Sequence, residues 1–201
     1  MRKNFLVLLM ALVLAFSFIG CGNKDMEVVT TADGQTFKIN GPLVDSYQGY
    51  GESDKDGKVT QIHKNDPRVV AVSDVVTQWA DLTGNRSWET ITGDEEYGLY
   101  SEGLVEALVN ENDDINYTKN THIADEMAYT STNFTVPRVV MLPNGHALAT
   151  VEYDQTLTHC NNEDSIKNNG FKKIGDIVHC YTTFELLPVG GIYKISAVDA
   201  H

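Results

Sequence analysis

The 201-residue sequence is poor in basic residues, with 15 Lys and Arg against 28 Asp and Glu and a net charge of −13. Because proteins hold nucleic acid through clustered basic side chains on its phosphates, this balance argues against a nucleic-acid partner. It also argues against a domain that lies flat on anionic lipid. An acidic surface keeps a protein soluble, and that is the simplest reason for this charge.

Signatures of catalysis and of bound cofactors are missing as well. The sequence contains no P-loop, no HExxH pattern and no nucleophile elbow, and its three cysteines form no CxxC pair. We therefore predict no catalytic residues, no metal site and no cofactor. There is no internal repeat or low-complexity tract, so we expect one folded core with little disorder beyond a tether.

The single long hydrophobic run lies at the start of the sequence. Residues 5–19 follow the basic residues Arg2 and Lys3 and carry no charge. The run is shorter than the roughly 20 residues that a membrane-spanning helix needs. A basic start followed by such a run is typical of a secretory signal peptide.

The run ends in Phe18-Ile19-Gly20-Cys21, which resembles the lipobox of bacterial lipoproteins. The resemblance implies that residues 1–20 are removed and that Cys21 is the lipid attachment residue. Two acyl chains anchor a protein stably, whereas one holds it only marginally. We therefore expect an exported protein, anchored in the membrane on the extracytoplasmic side by its lipid. The alternative is an ordinary signal peptide cleaved nearby, with Cys21 incidental.

Three regions follow the predicted signal peptide. Residues 21–36 are mixed and polar, and we predict a flexible tether there. Residues 37–64 are rich in Gly, Asp and Ser, which indicates a loop-rich lead-in that contains at most a hairpin packed on the main domain. Residues 65–201 form the predicted folded domain.

Helices are predicted in the first part of this domain. Asp66 and Pro67 suit the N-cap and first position of a helix that ends near Gly84. Its apolar residues recur at the spacing of a core-facing stripe, namely Val69, Val72, Val76 and Trp79. A short helix over 85–92 and a third helix over 94–109 follow.

After residue 113 the pattern changes to long extended segments. Asn144-Gly145 between two such segments is a strong hairpin signal. The return strand alternates, with Ala147, Ala149, Val151, Tyr153 and Leu157 on one face. The predicted strands cover 124–135, 136–142, 147–157, 171–187 and 192–198, with a polar connection over 161–170.

Helices followed by antiparallel strands predict an α+β fold, with N-terminal helices packed on a curved antiparallel sheet. The ending Phe184-Glu185-Leu186-Leu187-Pro188-Val189-Gly190-Gly191-Ile192-Tyr193-Lys194-Ile195 resembles the last hairpin of NTF2-like proteins, the SnoaL and ketosteroid-isomerase group. The resemblance covers about residues 66–200 and implies a cone-shaped sheet with an open mouth. A β-sandwich or lipocalin-type barrel is the second choice, because it needs strands where helices are predicted.

Enzymes of the NTF2-like family place an Asp, a His or a Tyr inside the cone for proton abstraction. The resemblance makes six residues candidates for lining a ligand pocket: Tyr97, Tyr100, Tyr129, Tyr153, His179 and Tyr181. Asp154 and His159 are further scattered candidates. Because no spacing joins any of these residues into a dyad, we expect core and cone lining rather than catalysis.

Cys160 and Cys180 are the cysteines that remain once Cys21 is lipidated. Export favours a disulfide, and an antiparallel register that pairs residue 160 with residue 180 would bring them face to face. One alternative is two buried thiols. Another is a zinc site completed by His159 and His179, which is disfavoured because neighbouring strand residues point to opposite faces.

The segment from Glu52 to Val59 resembles a calcium loop, with acids at alternate positions and Gly57 at the turn. His63 stands where an EF-hand needs its bidentate Glu. A solvated Asp-Gly turn is therefore the favoured interpretation.

Three functions follow from these patterns. The first is a non-enzymatic lipoprotein that binds a small apolar ligand or an envelope protein. The second is an NTF2-like isomerase, dehydratase or hydrolase acting on a small apolar molecule. The third is an oligomer-forming domain, a homodimer through the open face of the sheet. An empty cavity with a buried, shifted acid or His would favour the enzyme, whereas a cavity filled by side chains would exclude it.

Overall fold

The computed structural model describes residues 26–40, 49–93, 95–112 and 116–200. Within these ranges the fold is α+β. The strands are β1 (Met26–Thr30), β2 (Thr36–Asn40), β3 (Gly49–Ser53), β4 (Val59–Gln61), β5 (Ala128–Met141), β6 (Ala147–His159), β7 (Ile177–Val189) and β8 (Ile192–Ala200). The helices are α1 (Pro67–Gly84), α2 (Glu102–Asn112), α3 (Tyr117–Asp125) and α4 (Glu163–Asn168), with a 3-10 turn over Glu95–Leu99.

The strands form two sheets. β1 and β2 make an antiparallel hairpin, and the other six strands form one sheet in the order β4-β3-β5-β6-β7-β8. β3 pairs with β5 in parallel, and every other neighbouring pair of this sheet is antiparallel. The large sheet is therefore mainly antiparallel, as the sequence predicts.

Helix α1 confirms the strongest local prediction. The Asp66 side chain accepts a hydrogen bond of 2.9 Å from the backbone N–H of Arg68, which caps the helix. The predicted stripe is buried and packs in one cluster with the sheet: Val69, Val72, Val76 and Trp79. The core thus lies between α1 and strands β5 to β8.

The other face of the large sheet is covered by the β1–β2 hairpin. Val29 and Ile39 are buried against Val140 and Leu148, whose side chains point away from α1 because they alternate with core residues. The flexible tether predicted over residues 21–36 is therefore wrong from residue 26 onward. The hairpin is folded because its apolar side chains, among them Val29 and Ile39, are buried against the large sheet.

The described parts of the lead-in predicted over residues 37–64, namely 37–40 and 49–64, also belong to the folded domain. β3 and β4 extend the large sheet, and the turn between them is an Asx turn in which Asp54 Oδ1 accepts hydrogen bonds from the backbone N–H groups of Asp56 and Lys58, both 2.9 Å. Gly57 has φ +82° there. The favoured interpretation of an Asp-Gly turn fits this geometry.

Two predicted helices have different boundaries in the structure. Residues 85–92 form turns instead of a helix, because the backbone C=O of Arg86 and N–H of Trp88 bond to the start of β5. The helix predicted over 94–109 is split into the 3-10 turn and α2. The split occurs where the backbone N–H of Ser101 donates to the C=O of Ile195 on β8.

Helices α3 and α4 fall where the sequence predicts extended or irregular chain. α3 has no side-chain cap at its start and ends at Glu126 in a left-handed conformation, with φ +50°. α4 is a short helix capped by Asn162, whose side chain accepts from Asp164 and Ser165 N–H. Neither helix carries a clear apolar stripe in sequence, so periodicity could not indicate them.

The predicted signal peptide over residues 1–20 and the lipid attachment residue Cys21 lie outside the described residues. No helix in the described ranges is both long enough and apolar enough to cross a membrane.

Gly84 is needed for a close approach between α1 and β5. A Cβ atom there would lie 2.3 Å from Ser131 Oγ and 2.8 Å from Ser131 Cβ. We expect Gly84→Ala to lower the free energy of unfolding by about 1–3 kcal/mol through this overlap. The free energy is measured by chemical denaturation.

Gly103→Ala is the matched control, because a Cβ on this glycine of α2 meets no atom within 4 Å. We expect it to raise stability by up to about 1 kcal/mol, since alanine is the better helix former. Equal effects of the two substitutions would contradict the proposed close packing at Gly84.

Candidate functional site

The structure does not bring the six predicted pocket residues together. Tyr97, Tyr100 and Tyr153 belong to the core between α1 and the sheet. Tyr129 is in a separate cluster near α3, and His179 and Tyr181 point to the opposite face of the sheet from Cys180. These candidates lie on different sides of the sheet and do not line one pocket, and Tyr97, Tyr100 and Tyr153 pack in the core.

The space between α1 and the sheet is filled by aromatic side chains. The Trp79 indole Nε1–H donates a 2.8 Å hydrogen bond to the Tyr100 hydroxyl. The Trp79 and Phe184 rings meet edge to face, with centroids 4.9 Å apart. Phe134 stacks on Tyr153 at 5.6 Å. The hydrogen bond between Trp79 and Tyr100 allows both polar groups to be buried in this closely packed core.

The buried tyrosines are poor proton acceptors. Burial raises the pKa of the Tyr100, Tyr129 and Tyr153 phenols well above their usual value. A phenol with a raised pKa stays protonated at neutral pH and cannot act as a general base. These residues therefore act as core and structural side chains.

A histidine that the sequence did not single out is buried beside Tyr129. His122 Nδ1 lies 2.9 Å from the C=O of Thr118, so this nitrogen carries the proton, and the ring meets Tyr129 edge-on. Its Nε2 has no hydrogen-bond partner among the described residues. Burial lowers the pKa of His122 from 6.5 to about 4, which keeps the ring neutral.

The histidine among the predicted pocket residues, His179, lies on the exposed face of β7. Its Nδ1 is 3.0 Å from Asp154 Oδ1, and Asn133 Nδ2 donates to Asp154 Oδ2 at 2.8 Å. These two hydrogen bonds lower the pKa of Asp154. The three residues form a solvent-exposed polar cluster, and Asn133 takes a left-handed conformation with φ +59°.

The predicted disulfide between Cys160 and Cys180 is wrong, because both cysteines are free. β6 and β7 pair with Tyr153 opposite Cys180, so Cys160 lies seven residues further along the chain. Seven extended residues span about 23 Å, far beyond the Cα separation of about 4.4–6.8 Å that a disulfide needs. The connection between the strands contains α4, which shifts the register that the sequence suggested.

The zinc alternative is not supported by the placement of its residues. His159 Nε2 lies 3.5 Å from Glu126, and its ring is 6.3 Å from that of Trp88, whereas His179 pairs with Asp154. No three His, Cys, Asp or Glu side chains in the described part of the chain are grouped closely enough to hold a metal ion.

A polar cleft lies at the end of α1, below the turns of residues 86–93. It has a volume of about 160 Å³ and is lined by Asp81, Leu82, Asn85, Arg86, Ser87, Thr90, Ile91, Gly93 and Glu95. This cleft is the candidate functional site. None of the residues predicted to line a pocket belongs to it.

Arg86, which lines the cleft, belongs to a buried ion pair. The Arg86 guanidinium bonds to the Glu96 carboxylate, and both side chains are more than nine-tenths buried. A buried pair of this kind is costly to break, because removing one partner leaves the other charge uncompensated. Neither residue stands out in sequence, since they are ten positions apart with no shared periodicity.

The remaining walls are held by hydrogen bonds. Asn85 Nδ2 donates to Asp81 Oδ1 at 2.7 Å, and Asn85 Oδ1 accepts from the backbone N–H of Ser131 at 2.6 Å. Thr92 Oγ1 donates to Glu95 Oε1 at 2.7 Å. Because the lining contains two carboxylates, Asp81 and Glu95, and one guanidinium, Arg86, the cleft can accept hydrogen bonds from a small cationic group.

A second buried acid joins the β1–β2 hairpin to the sheet. Glu185 Oε1 lies 2.8 Å from His146 Nδ1, and Glu185 Oε2 accepts a 2.8 Å hydrogen bond from the backbone N–H of Ala32. Burial raises the pKa of Glu185 despite these hydrogen bonds, which act in the opposite direction. The signal in sequence was a single acid inside the apolar run of β7.

Comparisons with known proteins identify no family. No protein-family model and no curated protein matches the chain. Among solved structures, the crystal structure of the intermembrane space region of the chloroplast protein ARC6 is similar at a TM-score of 0.40 with 14% sequence identity. The similarity covers 64% of this chain and 92% of that one. At this TM-score the similarity assigns neither a fold family nor a function.

Because His122 stays neutral in the folded chain down to about pH 4, the unfolded chain binds a proton that the folded chain does not bind between pH 6.5 and 4. Stability is therefore lost as the pH falls through this window, by up to about 3 kcal/mol. We expect His122→Gln to reduce this loss, measured as the denaturation midpoint against pH.

His159→Gln is the control, because the His159 side chain is 47% exposed. We expect this variant to keep the slope of the wild-type chain between pH 6.5 and 4. A slope that His122→Gln leaves unchanged would show that other groups cause the acid sensitivity.

Proposed function

We propose that this chain is an exported lipoprotein, anchored through Cys21, whose folded domain binds a partner molecule rather than catalyses a reaction. The observation that carries the non-enzymatic part is the filled space between α1 and the sheet. Trp79, Tyr100 and Phe184 fill this space. Trp79 donates a hydrogen bond to Tyr100 and packs edge to face against Phe184.

An NTF2-like fold with a filled interior is the architecture we propose for this domain. The order of helices followed by the long strands β5 to β8 supports it, as does the closing turn at Gly190 and Gly191, with φ +60° and +89°. In an NTF2-like enzyme the reacting group lies in a cavity inside the cone. Here the corresponding side of the sheet is occupied by core residues, which argues against the isomerase, dehydratase or hydrolase alternative.

Two properties of the domain support a binding role. The polar cleft beside Arg86 is open to solvent and has a surplus of carboxylates, so it suits a small cationic ligand better than the small apolar ligand expected from sequence. The excess of acidic over basic residues in the whole chain favours solubility, which an exported domain needs. The anchor itself rests on the lipobox resemblance of residues 18–21.

Lipidation is tested by mass spectrometry of the full chain after expression in a bacterium. We expect the mature chain to begin at Cys21 with the added mass of a diacylglyceryl group, and to partition into the detergent phase. Cys21→Ser should lose both properties. Cys180→Ser is the matched control and should keep them. An unmodified Cys21, or cleavage elsewhere, would contradict the anchor.

The filled interior is tested with benzene, which enters apolar cavities but needs an empty one. We expect benzene to leave the Tm of the wild-type chain unchanged and to raise the Tm of Phe184→Ala, whose cavity costs about 3–5 kcal/mol of stability. Phe184→Leu, which keeps most of the volume, should respond little. A saturable rise of the wild-type Tm would indicate an existing cavity and would favour the enzyme.

A further inference from the structure

The polar cleft at the end of α1 carries charges of both signs. Asp81 and Glu95 contribute carboxylates to its lining, and Arg86 contributes a guanidinium. The two acids are exposed, whereas Arg86 is only 7% exposed. A ligand with cationic groups alone would be attracted by the carboxylates but repelled by the guanidinium beside them. The charges of the lining therefore suit a ligand that carries both signs.

The Arg86 guanidinium keeps hydrogen-bond donors for such a ligand. Its Nη2 bonds to Glu96 Oε2, and no other hydrogen bond joins the guanidinium to a described residue. The nitrogens without a partner are not sealed off from solvent, so they open onto the cleft that Arg86 lines. Because the bond to Glu96 already holds this planar fork in place, its remaining N–H groups are pre-organised to bind a second carboxylate.

Each carboxylate of the cleft keeps an oxygen atom for a ligand. Asp81 Oδ1 accepts from Asn85 Nδ2, and Glu95 Oε1 accepts from Thr92 Oγ1, both at 2.7 Å. The second oxygen of each carboxylate bonds to no described residue. A carboxylate oxygen accepts the N–H groups of an ammonium or a guanidinium. The two acids thus offer places for two cationic groups.

The size of the cleft and its apolar side chains limit the ligand further. Its volume of about 160 Å³ is smaller than the roughly 300–1,000 Å³ that is usual for sites of drug-sized ligands and cofactors. Leu82 and Ile91 also belong to the lining, and both are half-buried. Such side chains contact a short aliphatic segment whose charged ends reach polar groups. The ligand is therefore a small molecule with charged ends and an aliphatic middle.

We propose that the cleft binds a free α-amino acid with a cationic side chain, of which lysine is the simplest example. The inference rests on the proposed binding role and names the ligand class of that site. The α-carboxylate binds the Arg86 guanidinium, and the two cationic groups bind Asp81 and Glu95. The methylene chain contacts Leu82 and Ile91. Each of the three charges in the lining thereby meets one of opposite sign, which is not so for a diamine or for a neutral amino acid.

The ligand class is tested by titration calorimetry of the purified full chain in nonionic detergent. The three compounds are L-lysine, cadaverine, which lacks only the carboxylate, and L-norleucine, which lacks only the side-chain cation. We expect saturable binding of L-lysine. Cadaverine should bind about tenfold or more weakly, because it leaves the buried guanidinium without a carboxylate. L-Norleucine should bind about two- to fivefold more weakly, because ion pairs with exposed acids contribute less.

Variants test whether L-lysine binds in this cleft. Asp81→Asn and Glu95→Gln should each weaken its binding about two- to fivefold. Glu89→Gln is the matched control and should bind like the wild-type chain, because Glu89 is exposed in the same turns but does not line the cleft. Arg86→Lys keeps a charge opposite Glu96 but loses the fork. It should therefore bind L-lysine and cadaverine with similar affinity.

The outcomes separate this inference from the proposed function. If cadaverine binds the wild-type chain as tightly as L-lysine, the cleft still binds a cation as proposed, but the inference is overturned. Equal binding of L-norleucine would overturn the cationic side chain of the ligand. If none of the three compounds binds, the inference and the cationic ligand of the proposed function both fail, while the lipid anchor is decided separately by the mass of the mature chain.

Two further results bear on the variants. If Glu89→Gln weakens the binding of L-lysine as much as Asp81→Asn, binding follows the overall negative charge of the domain, and the inference is overturned. If Arg86→Lys does not fold, the comparison of the three compounds on the wild-type chain still decides whether the guanidinium binds a carboxylate, because that comparison changes the ligand and leaves the chain intact.

Discussion

The end of β5 and the start of β6 are buried on both faces, by α1 on one side and by the β1–β2 hairpin on the other. Val139 and Ala149 face α1, while Val140 and Leu148 face the hairpin. A sheet buried on both faces needs an apolar residue at nearly every position, which is why this part of the domain does not alternate cleanly. The remaining features of the fold are arranged around these two strands.

Burial on both faces determines where polar groups can be placed. Near the hairpin, the buried Glu185 is satisfied by His146 and by the backbone of Ala32. At the end of α1, Arg86 and Glu96 satisfy each other. Each pair lies where two layers meet, because a buried charge is tolerated only with a partner. The polar cleft opens at the second of these meeting points.

Local signals predicted several elements correctly. The Asp66-Pro67 cap and the stripe that follows it predicted α1, and Asn144-Gly145 predicted the β5–β6 hairpin. Alternation predicted the core face of β6, where Ala147, Ala149 and Val151 pack against α1. By contrast, α3 has no capping side chain, and α2 is cut off from the 3-10 turn by a backbone bond from Ser101 to Ile195, a residue of the last strand. That bond joins distant parts of the chain, so no local pattern could indicate it.

The candidate site likewise depends partly on local sequence and partly on contacts between distant residues. Aromatic residues were sensible pocket candidates by type, but whether a tyrosine lines a cavity or fills it depends on what packs against it. The sequence by itself determined the α+β order, the main helix, the hairpin turns and the lipobox resemblance, because these depend on neighbouring residues. Only the tertiary structure decided that the hairpin covers the second face, that Cys160 and Cys180 lie apart, and that Arg86 meets Glu96. These depend on contacts such as that between Ala32 and Glu185, 153 residues apart, which local sequence patterns do not encode.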